Sequence, residues 1–284
     1  MKAIDLHVHS SRSDGSKTPS ELVDMARQLG LAAFALTDHD TIAGLDEAVS
    51  YAESLRLQGH LDVPQVIPGI ELSTMHNKKD LHILGLFIDY QKPDVISKLL
   101  EFEEARVVRN KKMCAKLQAD GINISYELLV ESFPGAIITR AHYGEYLVAH
   151  GYSLSVADAF SQYLGDHTKY FVPREAVSPK MAIDLILSAG GIPIFAHPIH
   201  CKMSAASLDT LVCELKNMGL MGIEALYTTY TAADERQIRR LAAKYNLLIS
   251  GGSDYHGSAK PRTRMGTGFG HLYVPEDILY QLNK

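Results

Sequence analysis

Apolar residues fall into short continuous runs, LAAFALT, VIPGIEL, LHILGLFI, GGIPIFA and LLISGG. Between several of these lie stretches in which apolar positions recur every three or four residues. The continuous runs suit strands buried on both faces, and the periodic stretches suit amphipathic helices. One helix is marked at both ends: in TPSELVDMARQLG, Thr18 is an N-cap, Pro19 takes the first helical position, Glu21 completes a capping box and Gly30 is the stop. SPKMAIDLILSAG, with Pro179 at its start and Gly190 at its end, and ADERQIRRLAAKYN read as further helices. Strand and helix alternate as in a parallel α/β fold.

The middle of the chain breaks this alternation. From about Asp94 to Tyr170 the pattern is helical throughout, with VISKLLEFEEARVVRNKKMCAKLQADG followed by YELLVES and SVADAFSQYLG. The expected division is a barrel in two parts, residues 1–93 and 171–284, with a helical insertion or cap subdomain at 94–170.

Composition narrows the function classes. With 284 residues, 46% of them hydrophobic, the chain can bury an enzyme-sized core. A formal charge of −5 argues against a general electrostatic grip on nucleic acid, so any polyanion is expected to be held locally. Cys114, Cys201 and Cys213 form no CxxC pair and read as small core residues in a reducing compartment. No signal segment and no run of ~20 apolar residues is apparent. The expectation is a soluble, cytoplasmic protein.

The candidate chemistry lies where strands end. In DLHVHS, His7 and His9 are one residue apart, so a strand points both imidazoles to one face, and Asp14 follows a short loop later. His39 stands between Asp38 and Asp40, Glu71 ends VIPGIEL, and His197, Asp254 and His256 end later runs. His82, near the start of its run, is a mild exception. A single buried histidine is usually a hydrogen-bonded core residue. Six histidines with three carboxylates at strand ends are hard to explain that way, because burying those carboxylates without partners is costly.

The motifs HVHSSRSDG, TDHD, GIELS, LHILG, AHP and SDYHG, in this order, resemble those of the PHP family of polymerase and histidinol phosphatase domains. The resemblance implies a distorted (βα)7 TIM-like barrel holding three divalent ions of manganese, zinc or iron. His7, His9, Glu71 and Asp254 would hold one ion, and Asp14, His39 and His256 a second. Glu71 would bridge to a third on His82 and His197. Three such ions against three carboxylates leave roughly +3 in a low-dielectric pocket, a charge that a phosphate dianion and a hydroxide would neutralise. That is the equipment of a phosphoesterase, with Asp14, His39 and His256 both ligating and catalytic. His200, in the IHCK stretch beside AHP, is a candidate phosphate contact or leaving-group acid.

EARVVRN sets Arg106, Arg109 and Asn110 on one helix face, and ITRAHY adds Arg140 and His142. The pattern alone fits a phosphate clamp and a solvated basic edge equally. Similarity to the nucleotide-acting branch of the family favours the clamp, although Ala141 stands where that branch usually has proline. The expected partner is a small phosphorylated nucleotide, a nucleoside monophosphate or 3′,5′-bisphosphate, or the 5′ end of short RNA, with no membrane and no stable complex with long nucleic acid. The rival readings are a histidinol-phosphate phosphatase, an amidohydrolase or deaminase, and a non-catalytic PHP module. Asp38 and Asp40 are expected to orient ligands or cap a helix, and Glu224 and Tyr227 to pack in the core.

Overall fold

The computed structural model describes residues 2–77, 79–173 and 177–282. Strands β1 (Ile4–Val8), β2 (Ala33–Leu36), β3 (Gln65–His76), β4 (Lys79–Leu86), β5 (Ile192–Phe195), β6 (Gly222–Tyr227) and β7 (Leu248–Gly252) form a 7-stranded sheet in chain order. The sheet nearly closes on itself. Past the end of β7, Asp254 N–H donates to His7 C=O at 2.9 Å and His9 N–H donates to Tyr255 C=O at 2.9 Å, stitching the last strand to the first. The chain is thus a seven-stranded TIM-like barrel, as expected.

One strand departs from the expected parallel order. β4 runs antiparallel to both β3 and β5, because the connection between His76 and Lys79 is far too short for a crossover helix and can only make a hairpin. Reversal puts the start of β4 at the rim where the other strands end, and His82 pairs with Ser73 of β3 there. The apparent exception in the sequence is a consequence of strand direction.

Alternate residues of the strands face two cores. Phe34 and Leu36 of β2 join a cluster with Leu22 and Val23 of helix α1 (Pro19–Gln28) and Ala48 and Ala52 of α2 (Leu45–Leu57). Ala33 and Ala35 face a second cluster with Ile4, Leu6 and Ile194.

The segment between β4 and β5 is helical. It holds α3 (Pro93–Ala119), α4 (Tyr126–Ser132), α5 (Arg140–Ala149) and α6 (Val156–Ala159), then a π-helical turn at Phe160–Leu164 and α7 (Pro179–Ser188). The rest are α8 (Ala205–Asn217), α9 (Ala232–Tyr245) and α10 (Asp277–Leu282), which seats Ile278 and Leu279 in the second cluster. The buried stripe of α3 has three zones. Val95, Leu99 and Phe102 lie in the barrel cluster, while Met113, Cys114 and Leu117 lie in a separate cluster with Leu129, Tyr143, Leu147 and Leu164. Between them, on the same stripe, Arg106 and Asn110 are buried. Apolar ends anchor the helix on two cores and hold its polar middle over the barrel rim.

Candidate metal centre and its two cavities

Glu71, at the rim end of β3, is the hub of the site. Its Oε2 lies 3.1 Å from His7 Nε2, 3.1 Å from His9 Nε2 and 3.3 Å from His39 Nδ1, and its Oε1 lies 2.9 Å from both His82 Nδ1 and His197 Nε2. Two further carboxylates complete the ring. Asp254 Oδ1 is 3.3 Å from His9 Nε2 and 3.4 Å from His256 Nδ1, and Asp14 Oδ1 is 3.3 Å from His256 Nε2. All nine side chains singled out from the sequence are therefore gathered in one place.

Three subsets bring their donor atoms close enough to hold a metal ion: His7, His9, Glu71 and Asp254; His9, Asp14, His39 and His256; and His39, Glu71 and His82. His197 approaches Glu71 beside the third. Within the set, His9 Nε2, Asp14 Oδ1 and His39 Nδ1 are buried, and their close polar neighbours do not complete a hydrogen bond of good geometry. Buried polar atoms rarely stay unpaired, and mixed imidazole and carboxylate donors are what first-row divalent ions bind.

Other groups hold these residues in place. Glu224 of β6, fully buried, contacts His7 Nδ1 at 3.0 Å through Oε1, leaving Nε2 for the centre, and Oε2 accepts from His197 N–H at 2.7 Å. His256 Nδ1 sits 2.9 Å from Asp254 C=O, which likewise turns its Nε2 toward Asp14. Tyr227 donates to Asp254 Oδ2 at 2.6 Å, and Thr139 of the helical segment donates to Asp14 Oδ2 at 3.0 Å. Asp38 accepts from the Ser10 and Ser13 hydroxyls, both at 2.6 Å, bracing the loop that carries Asp14. Asp40 binds the Ser73 amide and the Arg106 guanidinium. His197, Asp254 and Asp40 have φ of 31°, 55° and 53°, left-handed conformations that cost non-glycine residues on the order of 1–3 kcal/mol each. Glu224 and Tyr227 are thus supports of the centre as well as buried residues. An acidic residue inside the apolar run GIEALY was the signal for the first of them.

Charge is divided across the cluster. Burial would raise Glu71, Asp14 and Asp254, yet their neighbours hold all three well below the usual carboxylate range: His7, His39 and His82 around Glu71, His39 and His256 around Asp14, Lys260 and His256 around Asp254. Burial opposes charge on His9 too, but Asp254 and Glu71 draw it up to about 9. For His39 burial wins and pushes it down to about 3. Lys260 Nζ reaches Asp254 Oδ2 at 2.6 Å; burial would lower it, and Asp254 more than reverses that.

Two cavities share this centre, and His39, His82 and Lys260 line both. The smaller, about 330 Å³, is roofed by the helical segment and lined by Arg106, Arg109, Arg140, Phe160 and Phe171. Arg106 donates to Ile138 C=O as well as Asp40, Arg109 Nε donates to Val172 C=O, and Arg140 bridges Asp80 at 2.5 Å and Asp166 at 2.6 Å. Asn110 and His142, expected beside the arginines, do not line it. Asn110 Nδ2 donates to Ile138 C=O, and His142 Nδ1 accepts from Thr139 N–H at 3.0 Å, closing the N-terminal capping box of α5. His142 thus serves a helix start whose N–H donors need partners, and Asn110 serves a backbone carbonyl of the loop before it. The larger cavity, about 530 Å³, carries His200, whose Nε2 is 2.9 Å from Thr229 Oγ1.

The family model for the PHP domain matches residues 5–175, more than half of the chain. The chain belongs to the PHP domain family. A 5′-3′ exoribonuclease of Haemophilus influenzae is 35% identical, over 90% of this chain and 90% of its own. A 3′,5′-nucleoside bisphosphate phosphatase of Chromobacterium violaceum is 32% identical, over 90% and 88%. Among solved structures, a Bifidobacterium adolescentis protein described as a metal-dependent phosphoesterase superposes with a TM-score of 0.84 at 28% identity, over 99% of this chain and 95% of that one. A Chromobacterium violaceum structure described as an amidohydrolase, holding sulfate, gives 0.86 at 30% identity, over 99% and 96%. PHP membership, the barrel and its histidine–carboxylate cluster make this chain a metal-dependent phosphoric ester hydrolase.

Proposed function

We propose that this enzyme hydrolyses the 3′ phosphoester of nucleotides that also carry a 5′ phosphate, namely nucleoside 3′,5′-bisphosphates and the terminal linkage of short 5′-phosphorylated RNA. The observation that carries the reading is the placement of three arginines in a cavity that opens onto Asp14, His39, His82 and His256. A single phosphate needs only the centre, so a second cationic wall suits a substrate with two separated anions. The names of the Haemophilus and Chromobacterium relatives agree with that class.

In this reading three divalent ions would be held by His7, His9, Glu71 and Asp254, by Asp14, His39 and His256, and by Glu71, His82 and His197. Bound there, they supply Lewis-acid charge to the phosphoryl oxygens and make water acidic enough to attack near neutral pH. Water adds its oxygen to phosphorus, the P–O3′ bond breaks, and the 3′ oxygen leaves with the electron pair and takes up a proton. Arg106, Arg109 and Arg140 hold the 5′ phosphate and so fix which phosphorus is presented. Glu224 and the carbonyl of Asp254 keep His7 and His256 in the tautomers the ions require. His200 contacts the phosphate or the leaving oxygen.

The test is a panel on protein reconstituted with manganese, zinc or iron: nucleoside monophosphates, 3′,5′-bisphosphates, short 5′-phosphorylated RNA and histidinol phosphate. Turnover of the bisphosphates and RNA is expected. Turnover of histidinol phosphate alone would overturn the assignment.

A further inference from the structure

The larger cavity contains a wall that the metal centre does not account for. Phe269 lines it while remaining 46% exposed, and the guanidinium of Arg262, in the same wall, lies over the Phe269 ring, 5.4 Å from its centroid. The loop that carries them is fixed. Arg264 and Gly268 exchange backbone hydrogen bonds at 2.8 Å in both directions, Gly266 N–H donates to the buried carboxylate of Asp5 at 2.7 Å, and Gly268 packs so tightly that a Cβ there would stand 2.6 Å from Thr228 Oγ1. A large aromatic ring is thus held open to solvent at the edge of an active site by a well-tied loop. Aromatic rings and guanidinium planes are the two protein surfaces on which nucleobases stack without regard to sequence.

Bisphosphate and RNA lose the same bond, P–O3′. They differ in what else the phosphorus carries, a hydroxyl in the bisphosphate and the 5′ oxygen of the next nucleoside in RNA. With the terminal phosphate among the arginines of the smaller cavity and the phosphorus over the metal ligands, that next nucleoside needs a separate space. The larger cavity meets the smaller one at His39, His82 and Lys260 and is the space available.

We propose that Phe269 and Arg262 form a stacking platform for the nucleoside on the downstream side of the scissile phosphate, so that the enzyme acts on RNA of two or more nucleotides as well as on bisphosphates. The proposal rests on the substrate reading above and extends it to a subsite.

The test uses manganese-loaded full-length protein, a nucleoside 3′,5′-bisphosphate and a 5′-phosphorylated dinucleotide. Phe269→Ala and, separately, Arg262→Ala are expected to raise KM for the dinucleotide roughly 5- to 150-fold, the range that one lost base stack gives. Both should leave kcat and KM for the bisphosphate within about twofold of wild type. Phe269→Trp, which keeps a stacking face, should restore the dinucleotide KM. Bisphosphate turnover also reports that each variant is folded, and Arg262→Ala carries the test if Phe269→Ala is not. The platform is overturned by an unchanged dinucleotide KM, by equal changes for both substrates, or by a wild type that cleaves the bisphosphate and not the dinucleotide. A wild type inert toward both substrates overturns the substrate reading itself, and the platform with it.

Discussion

Glu71 is where most of the site's close contacts meet, since both its oxygens are shared among imidazoles from β1, β4 and the loops after β2 and β5. Glu71→Gln, His39→Ala and Asp254→Ala should each abolish turnover and lower bound metal in elemental analysis, whereas Arg106→Ala and Arg140→Ala should mainly raise KM. Small and equal effects across these variants would contradict the division of roles. Glu224→Gln, which keeps the shape and removes one of two acceptors, should lower metal affinity or kcat about 10- to 100-fold without unfolding the barrel.

His142 offers a test on a residue outside the ligand set. Burial, opposed by the charge of Asp14 and reinforced by Arg106, pushes its pKa below the ordinary 6.5, so the unfolded chain takes up the proton first. Stability from this group is therefore complete above about pH 6.5 and lost as pH falls. His142→Ala should cost roughly 1 kcal/mol through the lost cap and flatten the acid limb of a denaturation profile. Most of the nine central residues were legible because they stand where an apolar run gives way to polar sequence, His82 near the start of its run being the exception. The role of Glu224 was not, because its partner His7 is 217 positions away and only barrel closure brings them together.

At the level of elements, strand direction decides what sequence can reveal. The apolar run of β4 looks like its neighbours, and nothing in its composition says that it runs backward. The short link after His76 does, once hairpin geometry is weighed against the length of a crossover. The seam between β7 and β1 is equally specific. A Cβ at Gly252 would lie 2.4 Å from the Cβ of His7 and 2.5 Å from its backbone nitrogen. Gly252→Ala should therefore lower stability by about 1–3 kcal/mol, read by chemical denaturation, and release metal as β1 shifts. Along α3, the change from apolar to polar residues within one buried stripe was visible as the spacing of Arg106 and Asn110. Their contacts with Ile138 C=O were not, because that segment is a loop with no periodic signal.

For the molecule as a whole, a chain of net charge −5 gathers Arg106, Arg109, Arg140 and Lys260 at one mouth, and pairs three of them with Asp40, Asp80, Asp166 and Asp254. Among the described residues, no helix is long and apolar enough to cross a membrane. Arg140 ties α5 to Asp80 of β4 and to Asp166, so the helical segment and the barrel rim form the smaller cavity jointly. The stitching of the last strand to the first also bears on how the protein is made. Asp254 and His256 belong to the same cluster as His7 and His9, so a nascent chain on the ribosome cannot complete its catalytic pit until residue 256 has emerged. Until then, the two imidazoles that leave the tunnel first stand without the carboxylate and imidazole that close their site last.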